Sequence, residues 1–178
     1  MKLRAYPRYR DSGIGWLGEI PEHWGVYRLK FCGSVYSGSD TKDDDGRYPL
    51  YGANGVIGRT ANPSFNRPIV LIGRVGSSGA INFAQGVFGV SDNCLVIANS
   101  KKTDTRFLFY ACTIIDFATD VTLNAQPLIT ATNVGNKAVP VPTLGEQRAI
   151  AAFLDRETAR IDELIEKKAR QIELLQEK

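Results

Sequence analysis

Cysteine is scarce in this chain of 178 residues: Cys32, Cys94 and Cys112 are far apart, odd in number and show no Cys-x-x-Cys spacing. That argues against a disulfide framework or a thiolate zinc site. It predicts buried or half-buried thiols in a reducing cytoplasm. Long apolar runs are missing too. The longest purely aliphatic stretch is Ile69-Val70-Leu71-Ile72, far short of a membrane span. Met1 to Arg10 is basic and carries no apolar segment, which argues against a signal peptide. Histidine occurs once, as His23 in Pro-Glu-His-Trp, with no nucleophile and orienting acid beside it. A structural role next to Trp24 is the expectation.

Catalytic motifs are absent or incomplete. Thr41-Lys42-Asp43-Asp44-Asp45-Gly46 starts like a calcium loop, but the twelfth position is Gly52, where a bidentate Glu is required. A solvated acidic turn is the better reading. Gly73-Arg74-Val75-Gly76-Ser77-Ser78-Gly79 lacks the Gly-Lys-Ser/Thr of a phosphate loop and the spacing of a dinucleotide fingerprint. Its glycines predict a tight turn or a close backbone approach. Asn62-Pro63-Ser64-Phe65 departs at its third residue from the Asn-Pro-Pro-aromatic motif of amino-methyltransferases, and no glycine-rich S-adenosylmethionine loop accompanies it. Glu166-Lys167-Lys168 matches the Glu-x-Lys half of a nuclease motif, yet it falls on an exposed helix where no metal site closes. The expectation is therefore a non-catalytic protein with no cofactor and no metal.

Glycine and proline are absent from the last 33 residues: all 17 glycines lie at or before Gly145 and all eight prolines at or before Pro142. This composition shift marks a boundary near Val139–Leu144. Charge divides at the same place. Glu146 to Lys178 carries a net −1 within an overall +3, so the preceding residues carry +4. A mildly basic head fits a nucleic-acid surface without demanding one. With 43% hydrophobic and 23% charged residues, the chain is an ordinary globular protein, one domain plus an appendage.

Before the boundary, short apolar runs alternate with turn residues. Tyr27–Phe31, Arg47–Tyr51, Gly55–Gly58, Ile69–Ile72, Gly79–Phe83, Val87–Gly89 and Asn93–Ile97 predict strands. Asn54-Gly55 and Asp45-Gly46 are hairpin-type dipeptides. Phe107, Leu108, Tyr110, Ala111, Ile114 and Ile115 recur at near-helical spacing, which predicts a helix over Thr105 to Phe117. The fold class is α+β, with more strand than helix in the head.

After the boundary, Thr143 followed by Glu146 forms a capping box. A helix is expected from Leu144 to Lys178, roughly 50 Å long at 1.5 Å per residue. Leu154, Thr158, Ile161, Ile165, Lys168, Ile172 and Leu175 are spaced 4, 3, 4, 3, 4, 3. This is a heptad seam, interrupted by Lys168 and weakened by Thr158. Leu144, Ile150 and Phe153 are expected to pack on the head, while the distal seam needs a separate helix.

Three segments carry a resemblance to a known family. The first is Tyr6-Pro7-Arg8-Tyr9-Arg10-Asp11-Ser12-Gly13-Ile14-Gly15-Trp16-Leu17-Gly18-Glu19-Ile20-Pro21-Glu22-His23-Trp24, followed by Tyr27-Arg28-Leu29-Lys30. The second runs from Tyr48 to Gly58, with Ile69–Gly76 and Val90-Ser91-Asp92-Asn93-Cys94 downstream. The third is Val139-Pro140-Val141-Pro142, then Glu146-Gln147-Arg148-Ala149-Ile150, Phe153-Leu154-Asp155 and Ile161-Asp162-Glu163-Leu164-Ile165. Together they resemble the DNA-specificity subunit of type I restriction-modification systems. The resemblance implies a target-recognition domain, residues 1–142, and a helical region, residues 143–178. It implies a non-catalytic subunit that reads double-stranded DNA while modification and restriction subunits methylate adenine and cleave. The family's usual subunit has two recognition domains and two helical regions in tandem. This chain has one of each, as a natural half-subunit or an excised half. The missing partner helix would then come from a second copy, packed antiparallel as a coiled coil, and the pair would read a palindromic bipartite site.

Reading bases requires side chains that pair with base edges, and affinity requires cations on phosphates. Tyr51, Asn54, Arg59, Asn66, Arg67, Arg74, Ser77, Ser78, Asn82, Asn124 and Gln126 are the loop candidates, with Arg74–Ser78 and Asn124–Gln126 preferred. Lys101, Lys102 and Arg106 are candidate phosphate contacts. The alternative is an adaptor or decoy half-subunit that joins a modification complex through its helix without reading DNA.

Overall fold

A computed structural model describes residues 5–117 and 128–176. The preferred loop residues Asn124 and Gln126 lie outside the described residues. The chain opens with β1 (Tyr9–Asp11) and β2 (Glu19–Pro21), an antiparallel ribbon. β3 (Gly25–Arg28) leads into the short α1 (Leu29–Cys32) and then β4 (Gly33–Ser37). β5 (Tyr48–Gly52) and β6 (Gly55–Thr60) form a hairpin. β7 (Ile69–Gly73), β8 (Ile81–Ala84), β9 (Gly89–Val90) and β10 (Cys94–Asn99) follow. Then come α2 (Thr105–Thr113), α3 (Ala131–Asn136), β11 (Ala138–Val141) and α4 (Leu144–Gln176). The architecture is mixed sheet and helix with one long C-terminal helix, as the α+β reading expects. Among the described residues no helix is long and apolar enough to cross a membrane.

The central sheet has the order β4-β10-β7-β8, with every neighbouring pair antiparallel. The aliphatic run in β7 is explained by its place there, because both faces of the strand are covered. Val70 and Ile72, with Leu95 and Ile97 of β10, face a core formed by Leu29, Phe107, Leu108, Val134, Val139 and Ala151. Ile69 and Leu71, with Val96, face the opposite way onto Phe88, Val90, Tyr51 and Phe65. That second core is roofed by the three-stranded sheet β6-β5-β9.

The boundaries differ from the sequence reading where long-range pairing decides them. β3 ends at Arg28 because its partner β11 runs out at Ala138, and Leu29–Cys32 turns helical with Leu29 N donating to Lys137 O at 2.8 Å. α2 stops at Thr113, four residues short of the expected end. Its start is set by Asp104, whose side chain accepts from Arg106 N and Phe107 N. Asn54-Gly55 makes the expected hairpin, with Gly55 at φ +98°. Asp45-Gly46 does not: Gly46 closes a turn onto Asp43 O and lies against the Thr60 backbone.

The capping box forms as expected. Thr143 N and Oγ1 donate to Glu146 Oε2 at 3.0 and 2.7 Å, and Glu146 N donates to Thr143 Oγ1 at 3.4 Å. His23 Nε2 and Trp24 Nε1 meet the other carboxylate oxygen at 2.8 and 3.3 Å. The single histidine is thus part of the helix start. Partial burial pushes the Glu146 carboxyl up, but the hydrogen bonds from Thr143, His23 and Trp24 outweigh it and bring it down to about 2.

Candidate nucleic-acid interface

β5 and β7 end, and β8 and β10 begin, at one common edge of the two sheets. Their loops are tied to one another through the backbone. Ser91 N donates to Tyr51 O at 2.9 Å, Arg74 N to Asn93 O at 2.8 Å, and Ile129 N to Arg74 O at 3.0 Å. Cys94 Sγ donates to Gly52 O at 2.8 Å, and Asn82 Nδ2 to Ala53 O at 3.4 Å. Gly73 is required here for space, since a methyl group on it would run into the carbonyl oxygens of Ser77 and Ala53. Gly76 and Gly79 hold φ +79° and +88°, conformations that favour glycine. The Gly73–Gly79 segment is therefore both the tight turn and the close approach expected of it.

This edge gathers Tyr51, Asn54, Arg74, Ser77, Ser78 and Asn82. Asn54 and Ser77 are exposed, and Arg74, Ser78 and Asn82 are half-buried. Tyr51 stands edge-on to Phe88 with ring centroids 5.3 Å apart, which anchors it in the second core. Arg74 Nη1 donates to Asp92 O at 3.3 Å. Among the described residues this uses one of the five N–H donors of the guanidinium. An arginine suits guanine and an asparagine suits adenine, and both types share this edge.

The other candidates do not join them. Arg59 lies four residues along β6 from the hairpin turn, ~13 Å away at strand rise. Asn66 and Arg67 are exposed just ahead of β7, at its far end. Lys101 and Lys102 are exposed in the turn after β10, also at the far end, where Lys102 O accepts from Gln147 Nε2 at 3.2 Å. Arg106 is already engaged: its Nε donates to Asp155 Oδ1 at 2.6 Å, and its guanidinium lies 4.5 Å from the Phe83 ring centroid. The physical reason is sequence-local polarity, which does not distinguish the two ends of a strand.

Of the seam, Leu154 is half-buried and the Thr158 hydroxyl lies 3.5 Å from Tyr110 OH, beside α2. Ile161, Ile165, Lys168, Ile172 and Leu175 are exposed, Ile165 at 60% and Leu175 at 73%. Among the residues expected to dock the helix, Ile150 packs on the first core. Composition did not point to the more deeply buried Gln147 and Ala151. The signal available was register, since both extend the same 4, 3 spacing towards the N-terminus.

Residues 21–174 match the family model of the type I restriction modification DNA specificity domain. The specificity subunit of the type I restriction enzyme EcoprrI of Escherichia coli is 25% identical over 168 residues, covering 88% of this chain and 41% of that protein. A putative type I restriction enzyme specificity subunit of Haemophilus influenzae is 27% identical over 118 residues, covering 64% of this chain and 31% of that protein. Among solved structures, the S subunit of a type I restriction-modification system from M. genitalium superposes with a TM-score of 0.68 at 18% identity, covering 80% of this chain and 41% of that one. The HsdS subunit from Thermoanaerobacter tengcongensis does so at 0.65 and 19%, covering 88% and 41%. The chain spans less than half the length of each of these proteins.

Proposed function

The chain belongs to the type I restriction modification DNA specificity family, and from that premise we propose that it reads one half of a bipartite double-stranded DNA target. It directs adenine methylation by modification subunits and cleavage by restriction subunits, and contributes no catalysis itself. Residues 1–142 act as the recognition domain and residues 143–178 as the pairing, spacing and docking helix. The observation that carries this reading is the gathering of Tyr51, Asn54, Arg74, Ser77, Ser78 and Asn82 at one sheet edge. Arg59, Arg67, Lys101 and Lys102 are assigned to phosphate contacts, and Asn124 and Gln126, outside the described residues, to base reading. A protein of this kind works in the cytoplasm, and three buried, unpaired cysteines are compatible with that.

A second copy is the proposed partner for the exposed helix. Running antiparallel about a two-fold axis near Lys168, the apolar residues Ile161, Ile165, Ile172 and Leu175 of one helix would pack among those of the other. That register places both recognition domains at opposite ends of a two-helix spacer, which suits a palindromic bipartite site. Analytical ultracentrifugation on the order of 10 µM checks it, with a monomer as the contrary result.

A salt-dependent shift assay on a randomised DNA pool, with and without modification subunits, tests the function. Selection of one sequence supports recognition. Binding to the subunits without DNA selection supports the adaptor reading, and turnover by the chain alone would make it an enzyme. Arg74→Ala should weaken specific binding more than nonspecific binding. Equal loss on random DNA would leave Arg74 no role in base reading.

A further inference from the structure

We propose that Gln147 and the Arg106–Asp155–Tyr110 cluster are positioning residues: they set the direction in which α4 leaves the head, and so the spacing and rotational phase between the two DNA half-sites. The inference rests on the paired, DNA-reading function proposed above.

The helical stripe is longer than its apolar part. Gln147, Ala151, Leu154, Thr158, Ile161, Ile165, Lys168, Ile172 and Leu175 follow one another at spacings of 4 and 3 throughout. The first four lie on the head and the last five are open to solvent. The docked part is held at two separate points. Gln147 is 1% exposed and fully paired. Its Oε1 accepts from Asp104 N at 2.8 Å, and its Nε2 donates to Lys102 O at 3.2 Å and Pro142 O at 3.0 Å. Asp104 is also the N-cap of α2, so one amide locks the first turn of α4 to the first turn of α2. Two helical turns later, Asp155 Oδ1 accepts from Arg106 Nε and Tyr110 OH, both at 2.6 Å. Arg106 has little freedom there, because its guanidinium sits 4.5, 5.1 and 5.3 Å from the ring centroids of Phe83, Phe109 and Tyr110.

Ile150 and Ala151 pack on the first core between these points, a contact without fixed direction that leaves tilt and roll to the hydrogen bonds. Two anchors separated by eight residues, ~12 Å of helix rise, remove both tilt and roll. Small errors matter because of leverage. The helix continues past Thr158 to Gln176, roughly 27 Å of free lever. A tilt of about 10° moves its tip by about 5 Å, more than the ~3.4 Å step of one base pair. Holding a spacer to a single base pair therefore needs both anchors.

The Arg106–Asp155 pair is also poorly placed to be a stability device. Its side chains are 36% and 42% exposed, and ion pairs in that environment contribute little to folding. Asp155→Ala should accordingly leave the head folded while loosening the helix, which separates a positioning role from a structural one.

The test uses the full chain and duplexes with two copies of the selected half-site separated by spacers of graded length. Wild type is expected to prefer one length. Asp155→Ala should reduce preference for that length over its neighbours by about tenfold, the factor one charge-assisted hydrogen bond supplies, with the half-site bases unchanged. Glu163→Gln, which removes the Lys167–Glu163 contact on the distal flank, should keep the wild-type preference. A DNA-free readout is the distance between spin labels introduced by Asn54→Cys and Glu166→Cys. It should be narrow in wild type and broad in Asp155→Ala and Gln147→Ala. Wild-type spacing preference and a narrow distance in Asp155→Ala would overturn the inference. A wild type with no spacing preference would instead overturn the paired reading, while the label distances still decide whether these residues fix the helix.

Discussion

The two halves of α4 share one heptad register and have opposite fates. From Leu144 to Thr158 the stripe lies against α2 and the first core. From Ile161 to Leu175 the same stripe is open to solvent among the described residues, with Ile161, Ile165, Ile172 and Leu175 all more than half exposed. The docked half uses polar matching: a buried, fully paired glutamine and a part-exposed, doubly bonded aspartate. The free half uses bare aliphatic side chains with one lysine in the middle. Directional hydrogen bonds suit a fixed contact within one chain, where the partner atoms are always present. Aliphatic knobs suit a surface that must remain soluble alone and pack when a partner arrives.

The sharpest way to break this contrast is at the docked half. Gln147→Ala removes three hydrogen bonds to buried or half-buried backbone groups and leaves a void, which should cost about 3 kcal/mol. Urea unfolding of the chain measures it, and an unchanged midpoint would mean the docked half is no more essential than the free one. The mirror experiment is Ile165→Asp. It should leave the unfolding midpoint of the isolated chain within about 0.5 kcal/mol and weaken self-association by about thirtyfold or more, since a charge enters the apolar seam. Sedimentation equilibrium reads that loss.

A third prediction uses pH to address only the docked end. The Glu146 carboxyl titrates lower in the folded protein, at about 2, than its ordinary 4.5. A depressed carboxylate contributes stability that is fully present above its unfolded pKa and is lost as pH falls through the folded one. Thermal stability should therefore drop as pH falls from 4.5 towards 2, and Glu146→Gln should flatten that part of the profile. Asp155 is lowered as well, with burial opposed by Tyr110 and Arg106, and acts in the same direction. The smallest effect is expected from Lys168→Leu. It should tighten self-association by about 1 kcal/mol and admit other registers, because a polar seam residue trades stability for specificity. A single register with unchanged affinity would deny Lys168 that role.

Much of the fold was legible where local chemistry is decisive. The capping box at Thr143 and Glu146 and the lack of glycine and proline beyond Gly145 placed the start of α4 at the observed residue. The Ile69–Ile72 run read as a strand because it is short and set between turn residues. The misses are elements whose conformation comes from distant partners. β4 is rich in glycine and serine and exists through its register with β10. β11 contains Pro140, which reads as a break, yet it pairs with β3 as one strand of a two-stranded ribbon, where a missing N–H is tolerated. The candidate site was legible by residue type and not by place. Arg74 and Asn54 carry the same residue types as Arg67 and Asn66; strand direction puts the first two on one edge and the others elsewhere.

The sequence by itself determined the periodicities: which residues share a helix stripe, which strand faces alternate, and where the long helix begins. These follow from 3.6- and 2-residue geometry and from capping, all of which act within a few residues. Only the tertiary structure decided which part of the stripe is covered, which loops share an edge, and that Arg106 is bound to Asp155 instead of lying free. Those outcomes depend on contacts between segments tens of residues apart, and a periodic pattern carries no information about which of its repeats will find a partner.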